Sequence, residues 1–555
     1  MKRWNGWGDP ATTYPLPDSV LAYLRDNLGD LTAFPDAAME DVLRAVPKSR
    51  LLPHPLVGTD AKSRLLHARG QSLPDWLALR SGRIPVFPDG VAQPVSEQQV
   101  CELIAYAQQN GIRLIPYGGG TSVVGHINPP ASEAPVLTVD MGRMDHLLEL
   151  DESSRLARFE AGVSGPALES QLAIRGYTLG HYPQSHECST LGGWIAARSS
   201  GQQSYYYGRI EELFAGGRLE TPLGRLELSH FPASAAGPDL KEVVLGSEGR
   251  LGIITQAQVR VRPKPSAEAF CGVFFPSWEL GMAAVKSIAQ QEAPVSMLRL
   301  SDPIETQTTL LLSGKSWIRL ADRGLRRIGY GQRRCLLVFG ATGTAADVRR
   351  ARRTAKSVCR QYRGLFVGTV VGRAWQKNRF RGPYLRNTLW EQGVAVDTLE
   401  TALPWKNAEA AARELPLAIQ QAMQPHNDRV LVISHLSHVY RDGASLYVTY
   451  LFRCRREPEE LLARWQAMKR AASLTIQRCG GTISHQHGVG VDHAPYLPAE
   501  KGPLGIAAIR NLCATFDPQG IMNPGKLLVE DRSKGTGTFF GLQACTGDLP
   551  NRAEK

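Results

Sequence analysis

The chain has 555 residues, 43% of them apolar and 21% charged, and a formal net charge of +12. That length exceeds one compact core, so two or more domains are expected, and the ordinary composition excludes an extended disordered chain. No apolar run is long enough to span a bilayer, the start lacks the hydrophobic stretch of a secretory signal, and the nine cysteines are scattered without a CxxC pair. A cytoplasmic protein with reduced thiols is expected. Much of the positive excess lies in two clusters, Arg323 to Arg334 and Arg349 to Arg360. Val348, Ala351, Ala355 and Val358 recur at near-helical spacing through the second, which makes it an amphipathic helix with a solvated basic face. No base-stacking aromatics accompany these arginines, so nucleic acid is not an expected partner.

Residues 1–78, rich in Pro, Trp and short helical patterns, read as an N-terminal helical extension packed on the main body. Helices and strands alternate from 79 to 263. Val100, Leu103, Ile104 and Ala107 form a helical stripe stopped by Asn110-Gly111, and the strand Ile112–Ile115 follows. Ala257, Val259 and Val261 alternate in a further strand closed by Pro263. Residues 264–480 begin afresh with mixed strands and helices and read as a second, substrate-covering domain. It ends in a helix carrying Leu461, Trp465, Met468 and Ala472, stopped at Gly480-Gly481. The motif-dense stretch 481–527 is expected to return to the first domain, and 528–555 to be a mobile tail.

Three glycine-rich turns fall within the first domain. Pro116-Tyr117-Gly118-Gly119-Gly120-Thr121-Ser122 follows a strand directly, and its backbone amides can converge on an anion such as a pyrophosphate. It matches neither GxGxxG nor a Walker loop, so nicotinamide and nucleoside triphosphates gain no support. Gln184-Ser185 and Ser189-Thr190-Leu191-Gly192-Gly193-Trp194 put hydroxyls and glycines before a helix, again suited to phosphate. Gly246-Ser247-Glu248-Gly249-Arg250-Leu251-Gly252-Ile253-Ile254 leads into the strand at Ala257 and permits close ligand approach. One such loop is weak evidence, but three in one domain are much stronger.

In this order, the three segments resemble the FAD-binding domain of the vanillyl-alcohol-oxidase or p-cresol-methylhydroxylase type. The resemblance implies an α+β fold: a two-subdomain FAD-binding unit with a separate α+β cap domain over the substrate. It places the FAD pyrophosphate and ribityl region against Pro116, Tyr117, Gly118, Gly119, Gly120, Thr121, Ser122, Gln184, Ser185, Ser189 and Thr190. Arg198, Ser199, Ser200, Glu248, Gly249, Leu251, Gly252, Ile253 and Ile254 would line the rest. The glycine loop has no His or Cys to attach the cofactor, so noncovalent FAD is expected.

Residues 2–8, Ile210–Leu213, Arg299–Asp302, Asp442–Ala444 and above all Ser484-His485-Gln486-His487-Gly488-Val489-Gly490 narrow the resemblance to the alkyldihydroxyacetonephosphate synthase family. Read as residues, Tyr447 sits in a strand over 445–452, where it shares a face with Thr449 and is a proton-transfer candidate if nearby cations lower its pKa. An ordinary hydrogen-bonded tyrosine is the commoner case. In an extended segment His485 and His487 point to one face, as either a metal pair or a proton-handling pair. No clustered carboxylate supplies a third ligand, so no metal is expected. Arg299 and Arg386 suit a bidentate grip on carboxylate or phosphate, although most arginines are surface residues. The resemblance makes Tyr447, His485, His487 and Arg299 catalytic, and Arg386 the grip on the substrate phosphate. Gln486 departs from the family pattern, which has a middle histidine there, and a glutamine carries no proton.

The activity so implied exchanges the acyl chain of acyl-dihydroxyacetone phosphate for a long-chain alcohol, with no net redox change. A homodimer and peripheral attachment to a membrane surface are further expectations. The rival readings are a redox enzyme of the same fold oxidising a 2-hydroxy acid such as lactate or glycolate, and a flavin- or lipid-binding protein without catalysis.

Overall fold

The computed structural model describes residues 2–312 and 316–529; the expected mobile tail, from 530 onward, lies outside them. The N-terminal stretch forms four helices, Asp18–Leu28, Met39–Ala45, Ala61–Leu66 and Leu73–Ser81. The last is opened by a capping box between Ser72 and Asp75 and closed by Gly82 at φ 71°. Asp18–Leu28 buries Val20, Leu24 and Leu28 against Val394, Leu431 and Leu451, which belong to the sheet of the C-terminal half. The extension also meets the first half, where the Gln71 N–H donates to Ser122 O.

The helix Glu97–Asn110 buries Val100, Leu103, Ile104, Tyr106 and Ala107 and ends at Gly111 in the left-handed region. The strand after it spans Arg113–Tyr117, so the first two residues of the glycine segment still belong to the strand. It pairs in parallel with Val136–Asp140, which pairs in parallel with Gly90–Ala92. A second, antiparallel sheet has five strands, in the order Leu147–Asp151, Leu156–Glu160, Ile253–Arg260, Phe214–Thr221, Gly224–Leu228. These two α+β layers are the subdomains of a p-cresol-methylhydroxylase-type fold.

The cap is a seven-stranded antiparallel sheet whose centre runs Met297–Ser301, Val430–Val439, Gly443–Arg453, with Val394–Pro404 at one edge. Its side chains alternate as a pleat requires. Val432, Leu446, Val448 and Tyr450 join the core beneath the helices Trp405–Met423 and Pro458–Arg478, whereas Ile433, His435, Tyr447 and Thr449 face a cavity. The basic helix Ala345–Gln361 buries Val348, Ala351, Ala355, Val358 and Cys359, which turns its arginines outward. From residue 481 the chain runs back along the strand at Leu114, whose N–H donates to Ile521 O and whose carbonyl accepts from Asn523 N–H.

Candidate active site

One cavity of about 480 Å³ runs from the three glycine turns to the inner face of the cap sheet. The turns are in mutual contact. A Cβ on Gly119 would sit 1.7 Å from Cys188 O, one on Gly118 2.2 Å from Thr190 Oγ1, and one on Gly249 2.9 Å from Pro116. Gly120 takes φ 70°, which lets the loop reverse over the cavity. Pro116 to Ser122, Gln184, Ser185, Ser189, Thr190, Ser199, Glu248, Gly249, Gly252, Ile253 and Ile254 all reach the cavity wall. Three expected positions do not. Arg198 turns outward to Glu242 at 3.1 Å, Leu251 is buried in the core beside the five-stranded sheet, and the Ser200 amide donates to Gln486 Oε1. Backbone amides, hydroxyls and glycines packed too tightly for side chains form a wall that suits a flat cofactor with a diphosphate. Glu248, at φ 54°, braces this wall by accepting N–H bonds from Val489 and Gly490.

The cap sheet sets the opposite wall. Strand register places Glu400, Tyr447 and His435 side by side across three strands. The Tyr447 ring stacks on His435 with centroids 4.9 Å apart and meets His487 edge-on at 5.8 Å. Arg299 donates to Glu305 Oε1 at 2.6 Å and lies 3.0 Å from His435 Nε2. Burial raises the Glu305 pKa, but the Arg299 guanidinium and His435 outweigh it and bring it down to about 2. Burial pushes the Tyr447 phenol up rather than down, so at neutral pH it holds its proton. The lowered phenol pKa that the sequence reading called for is absent, and the phenol keeps its proton.

Segment 484–490 is a chain of turns, with Gly488 at φ 76°, not a strand. The expected pairing of His485 with His487 on one face is therefore not found. Gln486 and His487 reach the cavity, while His485 turns away, its Nε2 2.6 Å from the Tyr440 hydroxyl and its Nδ1 3.2 Å from Glu400 Oε1. Burial lowers the His487 pKa and brings that of His485 down to about 4, so both are neutral at pH 7. Glu400 is the clustered carboxylate that the sequence reading did not find. His438 Nδ1 lies 3.2 Å from the same oxygen, which also accepts from Ser445 at 2.8 Å and from Ser437. The Glu400 oxygens accept from hydroxyl and amide donors, while His485 Nδ1 is buried with no hydrogen-bond partner among the described residues.

Arg386 reaches the cavity from the helix Gly382–Glu391. Its guanidinium lies 4.4 Å over the Trp76 ring and donates through NH1 to Gln71 O, but Nε and NH2 are buried with no hydrogen-bond partner among the described residues. Burial lowers its pKa to about 10, which leaves it charged at pH 7. Beyond Arg386 and Tyr447 the cavity continues as an apolar arm between Leu16, Val20, Leu24, Leu389, Val396 and Leu431. Sequence reading missed Glu400, His435, His438, Glu305 and Tyr440. The histidines of Ser434-His435-Leu436-Ser437-His438, polar residues in an otherwise apolar strand, were the available signal.

Residues 88–228 match the family described as FAD binding domain, and 264–527 the family described as FAD linked oxidases, C-terminal domain. The structure superposes on p-cresol methylhydroxylase with a TM-score of 0.65 at 14% identity, covering 90% of this chain and 99% of that one, which shows the shared fold. The chain is thus a flavoprotein of the p-cresol-methylhydroxylase type. Over 95% of its length and 93% of the relative's, it is 30% identical to alkyldihydroxyacetonephosphate synthase of Dictyostelium discoideum. The corresponding enzyme of Trypanosoma brucei brucei is 29% identical over 95% of this chain and 92% of the relative. A solved alkyldihydroxyacetonephosphate synthase superposes with a TM-score of 0.82 at 28% identity, covering 94% of this chain and 98% of that chain. The chain belongs to the alkyldihydroxyacetonephosphate synthase family.

Proposed function

We propose that the protein is a FAD-dependent enzyme that replaces the acyl group of acyl-dihydroxyacetone phosphate with a long-chain alcohol. The observation that carries this reading is the arrangement of one cavity: a cofactor wall, an arginine whose buried Nε and NH2 have no partner among the described residues and suit a phosphate, and an apolar arm for a chain. What FAD supplies when bound, noncovalently in this reading, is a reversible electron sink, so that one group can be exchanged for another with no net oxidation. The turns at Gly118 to Ser122, Ser189-Thr190 and Gly249 to Ile254 hold and orient it. Arg386 grips the substrate phosphate, and Arg299, steered by Glu305, receives the departing carboxylate. His487, neutral and on the cavity wall, takes a proton from the substrate carbon and returns it after the exchange, the Tyr447 phenol hydrogen-bonds the ester oxygen that departs in the carboxylate, and the entering alcohol gives up the proton that balances the carboxylate released. His485 acts from behind the wall.

Incubation of the purified protein with acyl-dihydroxyacetone phosphate and a labelled fatty alcohol, without an electron acceptor, should give the ether product and free fatty acid. Anaerobic bleaching of the flavin by lactate or glycolate, with no exchange, would favour the dehydrogenase reading. Tyr447→Phe should lower kcat by about 100-fold with little change in KM, and unchanged turnover would remove this tyrosine from the mechanism. The reading includes a homodimer attached to a membrane surface. No helix among the described residues is long and apolar enough to cross a membrane. Analytical ultracentrifugation and co-sedimentation with acidic vesicles check the two parts separately.

A further inference from the structure

We infer that Glu400 is the positioning residue of this site: it anchors the segment 485–487 from behind and presents a buried negative charge to Tyr447 and His487. The inference rests on the exchange reading above and extends it to a residue outside the cavity wall.

Glu400 is 0% exposed, in the edge strand of the cap sheet and directly across from Tyr447. Its contacts come from every element around it. The strand Val430–Val439 supplies Ser437 and His438, which a register shift after Leu436 turns toward the same carboxylate. The strand Gly443–Arg453 supplies Ser445, and the turn supplies His485 and Gln486. The two turn residues tie it to the flavin side of the molecule. Gln486 Nε2 donates to Glu400 Oε2, while Gln486 Oε1 accepts the Ser200 amide at 3.2 Å. His438 Nε2 lies 3.1 Å from Gly201 O.

The tautomer of His485 follows from its neighbours. Arg209 NH1 donates to the Tyr440 oxygen at 3.3 Å, and that hydroxyl lies 2.6 Å from His485 Nε2. A carboxylate only accepts, so the tautomer that suits Glu400 Oε1, 3.2 Å from Nδ1, carries the ring proton on Nδ1 and takes the Tyr440 proton at Nε2. A neutral amide at 486 suffices because its task is to bridge a carboxylate and a backbone N–H, which one amide group does with its two ends. The glutamine that departs from the family pattern thus serves the anchor and carries no proton.

The charge has a second consequence. Around His487 stand Glu400, Asp397, Lys469 and His126. Burial pulls its pKa down, the two carboxylates oppose that fall, and Lys469 and His126 add to it. Around Tyr447, burial raises the pKa, Glu400 and Asp397 raise it further, and Thr398 and Arg299 oppose. Removing the Glu400 charge therefore lowers both values. A base that protonates at lower pH moves the acid limb of the rate profile to lower pH.

The test is Glu400→Gln in the FAD-loaded protein. We expect flavin to remain bound, kcat to fall by about 100-fold with the acyl-substrate KM little changed, and the acid limb of the rate profile to move to lower pH. A structural disturbance would lower the profile without moving its acid limb. Histidine Cε1–H resonances, with His487 assigned through a His487→Asn variant, titrate whether or not turnover occurs, and the His487 titration should move to lower pH. Absence of exchange in the wild type would remove the functional reading, while that titration would still judge Glu400. A kcat within about threefold of wild type, or an unmoved acid limb and an unmoved His487 titration, would overturn the inference. If Glu400→Gln fails to fold, Tyr440→Phe keeps the shape and releases the His485 tautomer. It should lower kcat by about tenfold at constant KM, and unchanged kcat would overturn the inference.

Discussion

Replacement of Arg386 by Met separates binding from stability. The guanidinium is charged and buried, yet two of its nitrogens, Nε and NH2, have no partner among the described residues. A hydrogen bond to a charged group contributes roughly 1.5–3 kcal/mol, so two such bonds to a phosphate are worth about 3–6 kcal/mol. At roughly 1.4 kcal/mol per decade, Arg386→Met should lower kcat/KM for acyl-dihydroxyacetone phosphate by about 10²- to 10⁴-fold. The free protein should respond in the opposite sense. It loses a buried charge whose desolvation costs several kcal/mol, and Met still packs on Trp76. Against this stands the lost bond to Gln71 O, at about 1–3 kcal/mol. The net expectation is an unchanged or higher melting temperature. Steady-state kinetics across substrate concentrations and thermal melts with and without inorganic phosphate read both effects. Phosphate should raise the melting temperature of the wild type and leave the variant unmoved. A kcat/KM within about threefold of wild type, or a phosphate response retained by the variant, would refute the assignment.

Gly119→Ala should give protein without bound flavin, because its Cβ would fall 1.7 Å from Cys188 O and force the first and second turns apart; the visible absorption spectrum reads this directly. Leu24→Trp should narrow the apolar arm and shift alcohol preference toward shorter chains, as measured by competition between alcohols of different length. Acid should destabilise the fold through three buried histidines. Burial is the first cause in each case, and it lowers the pKa of His181 to about 3 and those of His186 and His485 to about 4. These folded-state values lie below the unfolded value of about 6.5, so the unfolded chain binds more protons. Their stability contribution is full above about pH 6.5 and is lost as pH falls toward 4, at about 2 kcal/mol per histidine by pH 5. Urea unfolding at pH 7 and pH 5 measures the loss, and His186→Phe should remove one share of it.

The glycine turns were legible because their chemistry is local. A glycine in the left-handed region, hydroxyls ahead of a helix and a strand running into a loop are set by neighbours in sequence. The face of Tyr447 was legible for the same reason, since a regular strand alternates every second residue, and Thr449 shares that face. The same rule failed for His485 and His487 because glycine-rich turns have no such period. Arg198, which the resemblance set against the cofactor, caps the helix Leu191–Ala197 and turns outward to Glu242.

What the sequence by itself determined is the set of elements and the turns able to cradle a diphosphate, because both follow from backbone geometry over a few residues. Only tertiary structure decided which charges meet. Glu400 reaches His438 and His485 across strand register, Glu305 turns Arg299, and helix packing brings Arg386 onto Trp76 from more than 300 positions away, a separation of 310. Such contacts depend on how sheets and helices pack, and the energy of a buried ion depends on the partners that packing provides.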